Sequence, residues 1–115
     1  MTHEPRTSNT VNEGLATMID AMKRDYLDGC APDPVTHGLT IKHLESYRVS
    51  LGRKYARVFS GPSVKAFVVL VDNDKKFRKG DILKPASYAA PARNAARGNV
   101  LDGGYLINWT GPTYL

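Results

Sequence analysis

The hydrophobic period of this chain changes near Tyr47, from the three- and four-residue steps of a helix to the two-residue step of a strand, and that change admits few folds. Before it, Val11, Leu15, Met18, Ile19, Met22 and Tyr26 share one helical face while Asn12, Glu13, Asp20, Lys23 and Arg24 turn elsewhere. Thr10-Val11-Asn12-Glu13 has the form of a capping box, Gly29 suits a helix end, and Pro32 and Pro34 forbid continuation, so a helix over about 11–28 is predicted. After the change, Tyr47, Val49 and Leu51 alternate with Arg48 and Ser50, Gly52-Arg53 can turn the chain, and residues 54–59 resume as a β-rich run. Ser60-Gly61-Pro62-Ser63 is a second turn signal, and the β-branched and aromatic run 64–71 reads as a central, buried strand. A short strand at Ile82-Leu83 and an alternating run over 105–109, stopped by Gly111-Pro112, complete the pattern, while residues 35–46 fit neither period.

The expectation is an α+β fold: a single small domain with a curved antiparallel sheet of about four to five strands, one long N-terminal amphipathic helix and a short helix near 91–97. Residues 1–9 are polar, contain Pro5 and lack periodicity, which reads as a flexible lead-in. Residues 10–115 then form the single domain, with its β-rich part over about 40–112. A length of 115 residues leaves little room for a second core.

Several function classes lack their residues. No run approaches the roughly 18 apolar residues that span a bilayer, and the first turns of chain lack the basic-then-apolar order of a signal peptide, so no membrane partner is expected and the compartment is the cytoplasm. Cys30 is the sole cysteine, which excludes an internal disulfide, and His37 and His43 lack a third ligand, so no metal site is expected. No pair of acidic residues has the spacing of an acid–base couple, the serines lack a nucleophile-elbow pattern, and the glycines form neither a P-loop nor a dinucleotide fingerprint. The expectation is a protein without catalytic residues or cofactors.

Charge points to binding. The net charge is +5, but residues 1–36 hold three basic against six acidic residues, and residues 37–115 hold thirteen against five. The positive field therefore belongs to the C-terminal two-thirds, and it attracts phosphate or an acidic protein surface over a Debye length of roughly 8 Å in physiological salt. Lys75, Lys76, Arg78 and Lys79 surround Phe77 in a solvated loop whose ring can stack on a base or pack back on the sheet. Arg48, Arg53, Lys54 and Arg57 lie on the predicted hairpin, and alternation sets Arg53, Tyr55, Arg57 and Phe59 on one side of a strand. Cations interleaved with rings are what a single-stranded nucleic acid requires, since cations track phosphates and rings stack on bases; Tyr55 and Phe59 serve equally as core with Arg57 reaching past them.

The stretch 80–99, GDILKPASYAAPARNAARGN, is more specified than its surroundings, because Pro85 and Pro91 fix two φ angles and remove two donors within one loop. If residues 92–96 are helical, Arg93 and Arg97 share a face that can grip a phosphate or a carboxylate; otherwise Arg97 and Asn99 brace the loop, with Gly98 at positive φ. Lys84, Tyr88 and Arg93 are its contact candidates. The order GRKYARV at 52–58, SVKAFVVL at 63–70, then GDILKPAS, APARNAARGNV and WTG resembles a group of small, largely uncharacterised tailed-bacteriophage proteins. Those proteins read GRKY, a strand ending in Phe-Val, GD-Ile/Val-Leu-Lys-Ala-Ala-Ser-Trp, Ala-Pro-Ala-Lys and ARGN. The resemblance covers roughly 51–112; Pro85 stands where Ala is usual, Tyr88 where Trp is usual, and Arg93 in the place of Lys. It implies a phage origin and an accessory role in the cytoplasm of the infected bacterium, and no reaction.

The expected function is that of a non-enzymatic accessory protein binding RNA or single-stranded DNA through Arg53, Arg57, Lys75, Lys76, Phe77, Arg78, Lys79, Lys84, Tyr88 and Arg93. One rival uses the same charges, a module that inhibits or redirects a host complex through an acidic protein surface; a third reading is a minor virion component. The apolar helix face also allows homo-oligomers.

Overall fold

A computed structural model describes residues 7–29, 44–108 and 110–112. The predicted helix is α1, Val11–Gly29. Its start is capped as expected: the Glu13 N–H donates to Thr10 Oγ1 at 3.1 Å, which supplies one of the acceptors that a helix start lacks. The reciprocal Glu13 carboxylate accepts from the Asn9 N–H at 3.2 Å, one residue earlier than in the standard box. The Ser8 N–H also donates to the Leu101 carbonyl at 3.0 Å. The end of the lead-in is thus hydrogen-bonded to the fold at Ser8, while residues 1–6 of the expected flexible segment lie outside the described residues.

The period-two region forms β1 (Tyr47–Leu51), β2 (Tyr55–Ser60), β3 (Ser63–Val69) and β4 (Ile82–Leu83), hydrogen-bonded in that order and antiparallel throughout. Among the described residues the β-rich part thus begins at Tyr47; residues 35–43 lie outside them, and 44–45 form part of a helical turn. A bulge at Val58/Phe59 shifts the register, so that Val58 faces Ala66 but Phe59 faces Val64. A second sheet holds β5 (Ile107–Asn108) and β6 (Gly111–Pro112). Gly111-Pro112 does not simply end the run before it, but returns as its partner strand; among the described residues the fold is the expected α+β, with a four-stranded antiparallel sheet and a separate two-stranded one.

Alternation divides the main sheet into two faces. Ala56 and Val58 of β2, Ala66 and Val68 of β3 and Ile82 of β4 join Val11, Leu15, Met18 and Met22 of α1, with Val100, Tyr105 and Ile107, in the larger core. Met18 and Met22 are fully buried, each stabilising the fold by about 1.5–3 kcal/mol relative to exposure. The opposite face carries Phe67, Val69 and Leu83, buried with Phe77 of the following loop, and Tyr55, Val64, Val71 and Ala96 pack against this cluster. Loop 72–79 is consequently a lid over a second small core.

The 80–99 stretch is where the structure departs most from its predicted form. Residues 91–97 form no helix. The Arg97 N–H instead donates to the Ile82 carbonyl at 2.7 Å, Ile82 N–H to Gly98 at 2.9 Å, and Val100 N–H to Gly80 at 2.9 Å, so 97–100 runs beside β4 as an irregular strand. Pro85 and Pro91 face each other as a bridge, the Ala92 N–H donates to Lys84 at 2.7 Å, and the Ala86 N–H to Ala90 at 3.0 Å. Alanine-rich helix propensity loses here to β-type pairing across a proline-closed loop, because tertiary bonds satisfy the same backbone groups.

Gly14 lets α1 approach that strand: a Cβ there would lie 2.7 Å from Val100 Cβ and 2.8 Å from the Val100 carbonyl oxygen. Gly14→Ala is therefore expected to destabilise by about 1 kcal/mol, because overpacking against backbone outweighs the roughly 1 kcal/mol that alanine gains in a helix. Denaturant titration beside Asn12→Ala checks this; a more stable Gly14→Ala protein would refute it.

Candidate functional site

The ten residues selected from the sequence separate into three groups. Phe77 is buried in the second core, at 6% exposure, so its ring packs back on the sheet and does not reach solvent to stack on a base. Arg93 is a bracing residue rather than an outward contact. Its Nη2 donates to both Asp74 oxygens, at 2.9 and 3.0 Å, its Nη1 donates to the Tyr55 hydroxyl, and its guanidinium lies 4.8 Å from the Phe77 ring centre.

The centre of this arrangement, Asp74, was not singled out in the sequence. Its carboxylate is excluded from solvent, and it also accepts the backbone N–H groups of Lys76 at 2.8 Å and Phe77 at 2.9 Å and pairs with Lys54 Nζ at 3.0 Å. The Arg93 guanidinium first, then the two backbone donors and the Lys54 ammonium, hold the Asp74 carboxyl well below the usual carboxylate range; burial opposes them and loses. The same pairing raises the Arg93 value further. An Asp two residues before the N–H it accepts is an Asx-turn signal, present at Asp74-Lys75-Lys76 but obscured by the basic run that follows.

Other basic residues of the loop are partly committed. Lys76 Nζ donates to the Arg93 carbonyl, Arg78 pairs with Asp102, and the half-buried Lys84 is engaged within the fold. Lys75 and Lys79 are exposed, but Lys79 lines a cleft with Asn9, Thr10, Val11, Asn12, Leu70 and Leu101, on the helix side of the sheet. The expected single basic surface is therefore divided between two faces.

What remains together lies on the face away from α1. Register pairs Arg48 with Phe59 and Arg57 with Phe67. The Arg48 guanidinium sits 4.0 Å over the Phe59 ring, and the Arg57 guanidinium lies 5.3 Å from Phe59 and 5.2 Å from Tyr88. Phe59 is 1% exposed beneath the two cations. Tyr88 tilts against it at 5.7 Å between ring centres while staying 57% exposed, and Arg57 Nη1 donates to the Tyr88 carbonyl at 3.4 Å. Arg53 is exposed in the adjoining turn. Among the described residues, no carboxylate pairs with Arg48, Arg53 or Arg57. Alternation along β2 foretold the shared side of Tyr55, Arg57 and Phe59; it could not foretell that Tyr88, thirty-one residues beyond Arg57, would close over them.

On the helix side, buried Asp25 lies near Tyr47, whose hydroxyl is pushed up to about 12 by burial and then by the charges of Asp25 and Tyr26. That group is part of the packing between α1 and β1, with Ser46 and Ser60 in hydroxyl contact at 3.1 Å. Among the described residues no three His, Cys, Asp or Glu side chains converge as metal ligands, and no helix is long and apolar enough to cross a membrane. No protein-family model, curated protein or solved structure matches the chain.

Proposed function

We propose that this protein is a phage-encoded, non-enzymatic accessory protein that binds RNA or single-stranded DNA in the infected cell, using the sheet face of Arg48, Arg53, Arg57 and Tyr88. The observation that carries the reading is that Arg57 lies 5.2 Å from the exposed Tyr88 ring and Arg48 covers the Phe59 ring packed beneath it, with no carboxylate partner for either guanidinium among the described residues. A guanidinium that is not neutralised within the fold retains its fork of donors for phosphate, and a neighbouring ring adds affinity that duplex DNA, with its bases stacked inside, cannot use. Lys75 extends the charge at the loop; Lys76, Arg78, Lys84 and Arg93 serve the fold first. The phage origin rests on the resemblance over residues 51–112.

Fluorescence anisotropy with a labelled oligothymidylate tests the proposal. Wild-type binding is expected to weaken linearly in log–log terms with salt. Arg48→Gln/Arg53→Gln/Arg57→Gln is expected to lower the slope by up to about 2, since each phosphate that the protein no longer neutralises removes about 0.7. Unchanged affinity in that variant, or no binding at low salt, would sink the reading. In the second case, retention of one protein at fixed stoichiometry from nuclease-treated host lysate would direct the same cations to an acidic protein surface.

A further inference from the structure

We infer that Tyr88 is a preorganised platform for one unpaired nucleobase, with Arg57 and Arg48 placed to hold the phosphates beside it. This rests on the nucleic-acid reading above and adds what the site distinguishes: a base that is out of its stack from one that is paired.

The first support is exposure in an unlikely place. Tyr88 lies at the tip of the loop closed by the Pro85/Pro91 bridge, with more than half of its surface open. A ring that served only packing would sit as Phe59 does, and Tyr88 instead covers Phe59 with part of its surface and leaves the rest to solvent. The second support is rigidity. The Ser87 and Ala86 N–H groups both donate to the Ala90 carbonyl at 3.0 Å, and the Ala90 N–H donates to Ser87 Oγ at 3.2 Å. Arg57 anchors the Tyr88 carbonyl from the sheet. A ring held in this way loses little conformational freedom on stacking, so more of the stacking energy appears as affinity.

The third support is chemistry. Arg57 lies near both the Tyr88 and Phe59 rings, and Arg48 covers Phe59, so one guanidinium sits at ring-to-cation distance from the tyrosine and a second over the ring that it packs against. An aromatic base carrying a phosphate presents the complementary pair, a flat π face and an anion. Ala89 and Ala90, both exposed, follow the ring with no bulky side chain to shield it. Stacking is tolerant of sequence, so the platform accepts any base and discriminates strandedness.

The test compares a homopolymer single strand with an oligomer of the same length and charge built from abasic residues, using the full chain. Wild-type protein is expected to bind the base-bearing strand about 5- to 100-fold more tightly. Tyr88→Leu should bring the affinity for the base-bearing strand down to that for the abasic strand, and Tyr88→Phe should restore the preference. A thermal melt confirms that each variant is folded. Equal wild-type affinity for the two strands overturns the platform while leaving the phosphate-binding reading intact, and a preference that survives in Tyr88→Leu overturns it as well. Absence of binding to either strand overturns both readings.

Discussion

Replacing Asp74 with alanine is expected to lower the thermal unfolding midpoint by about 10 °C, the scale of losing a buried hydrogen-bonded ion network in a domain of this size. One carboxylate satisfies Arg93, Lys54 and the N–H groups of Lys76 and Phe77, and so fastens loop 72–79 to the segment after Pro91 and to the turn that holds Lys54. Lys54 and Arg93 keep 46% and 38% of their side-chain surface and can recover water when the carboxylate is gone. The Phe77 N–H, beside a buried ring, has less access to replacement solvent. Asp74→Asn should fall between, because its side-chain oxygen can still accept both backbone bonds while the charge attraction is lost.

The same pair of variants gives a pH signature. The folded Asp74 carboxyl is held below its unfolded value of about 3.9, so its contribution is fully present above that pH and is lost as pH falls through the folded value. Wild type should therefore exceed Asp74→Asn by a constant margin at neutral pH, and the margin should shrink as acid is added below about pH 4. Urea titrations of the two proteins across that range measure it. A margin that widens in acid, or stability of Asp74→Ala equal to wild type, would show that the loop is held by its apolar contacts alone.

Gly98→Ala is expected to cost about 2–4 kcal/mol, from a steric clash added to a backbone penalty. Gly98 adopts φ +152°, and a Cβ built there would lie 2.3 Å from Tyr105 Cβ and 2.9 Å from its Cγ. Tyr105 is buried in the core shared with α1, and burial raises its hydroxyl above the ordinary tyrosine range. Retreat is blocked on the other side, since the Gly98 carbonyl accepts the Ile82 N–H and the Arg97 N–H bonds Ile82 in return. Gly104→Ala is the control: its φ is +69°, but its Cβ would meet nothing within 4 Å, so it reports the backbone penalty alone. Equal losses in the two variants, read from denaturant midpoints, would remove Tyr105 as the cause.

The parts of this fold differed in how far the sequence reached them. Helix α1 was readable because its signals are local: Thr10 and Glu13 lie within one turn, and the apolar face repeats at helical spacing. The hairpin of β1 and β2 and the buried β3 were readable for the same reason, with alternation setting the two faces. The candidate site was half legible. Arg57 and Phe59 followed from alternation, and Tyr88 from its place among the prolines. Their meeting depends on chain folding back across the sheet, and no periodicity within β2 carries that information.

Residues 91–97 show the limit most clearly. Alanines and a four-residue arginine spacing favour a helix, yet none forms there, because the Lys84 and Ile82 carbonyls take the Ala92 and Arg97 N–H groups and Asp74 offers Arg93 a buried carboxylate. Local sequence was enough to set the class of each strongly periodic segment, the cap of α1, the polarity of the sheet faces and the location of excess positive charge. Which cations are neutralised inside the fold and which face outward was settled by tertiary packing. Pairing of that kind is a long-range property: Asp74 takes Arg93 nineteen residues away, and Asp102 takes Arg78 across twenty-four, whereas Arg57 is left beside the exposed Tyr88 and Arg48 over Phe59.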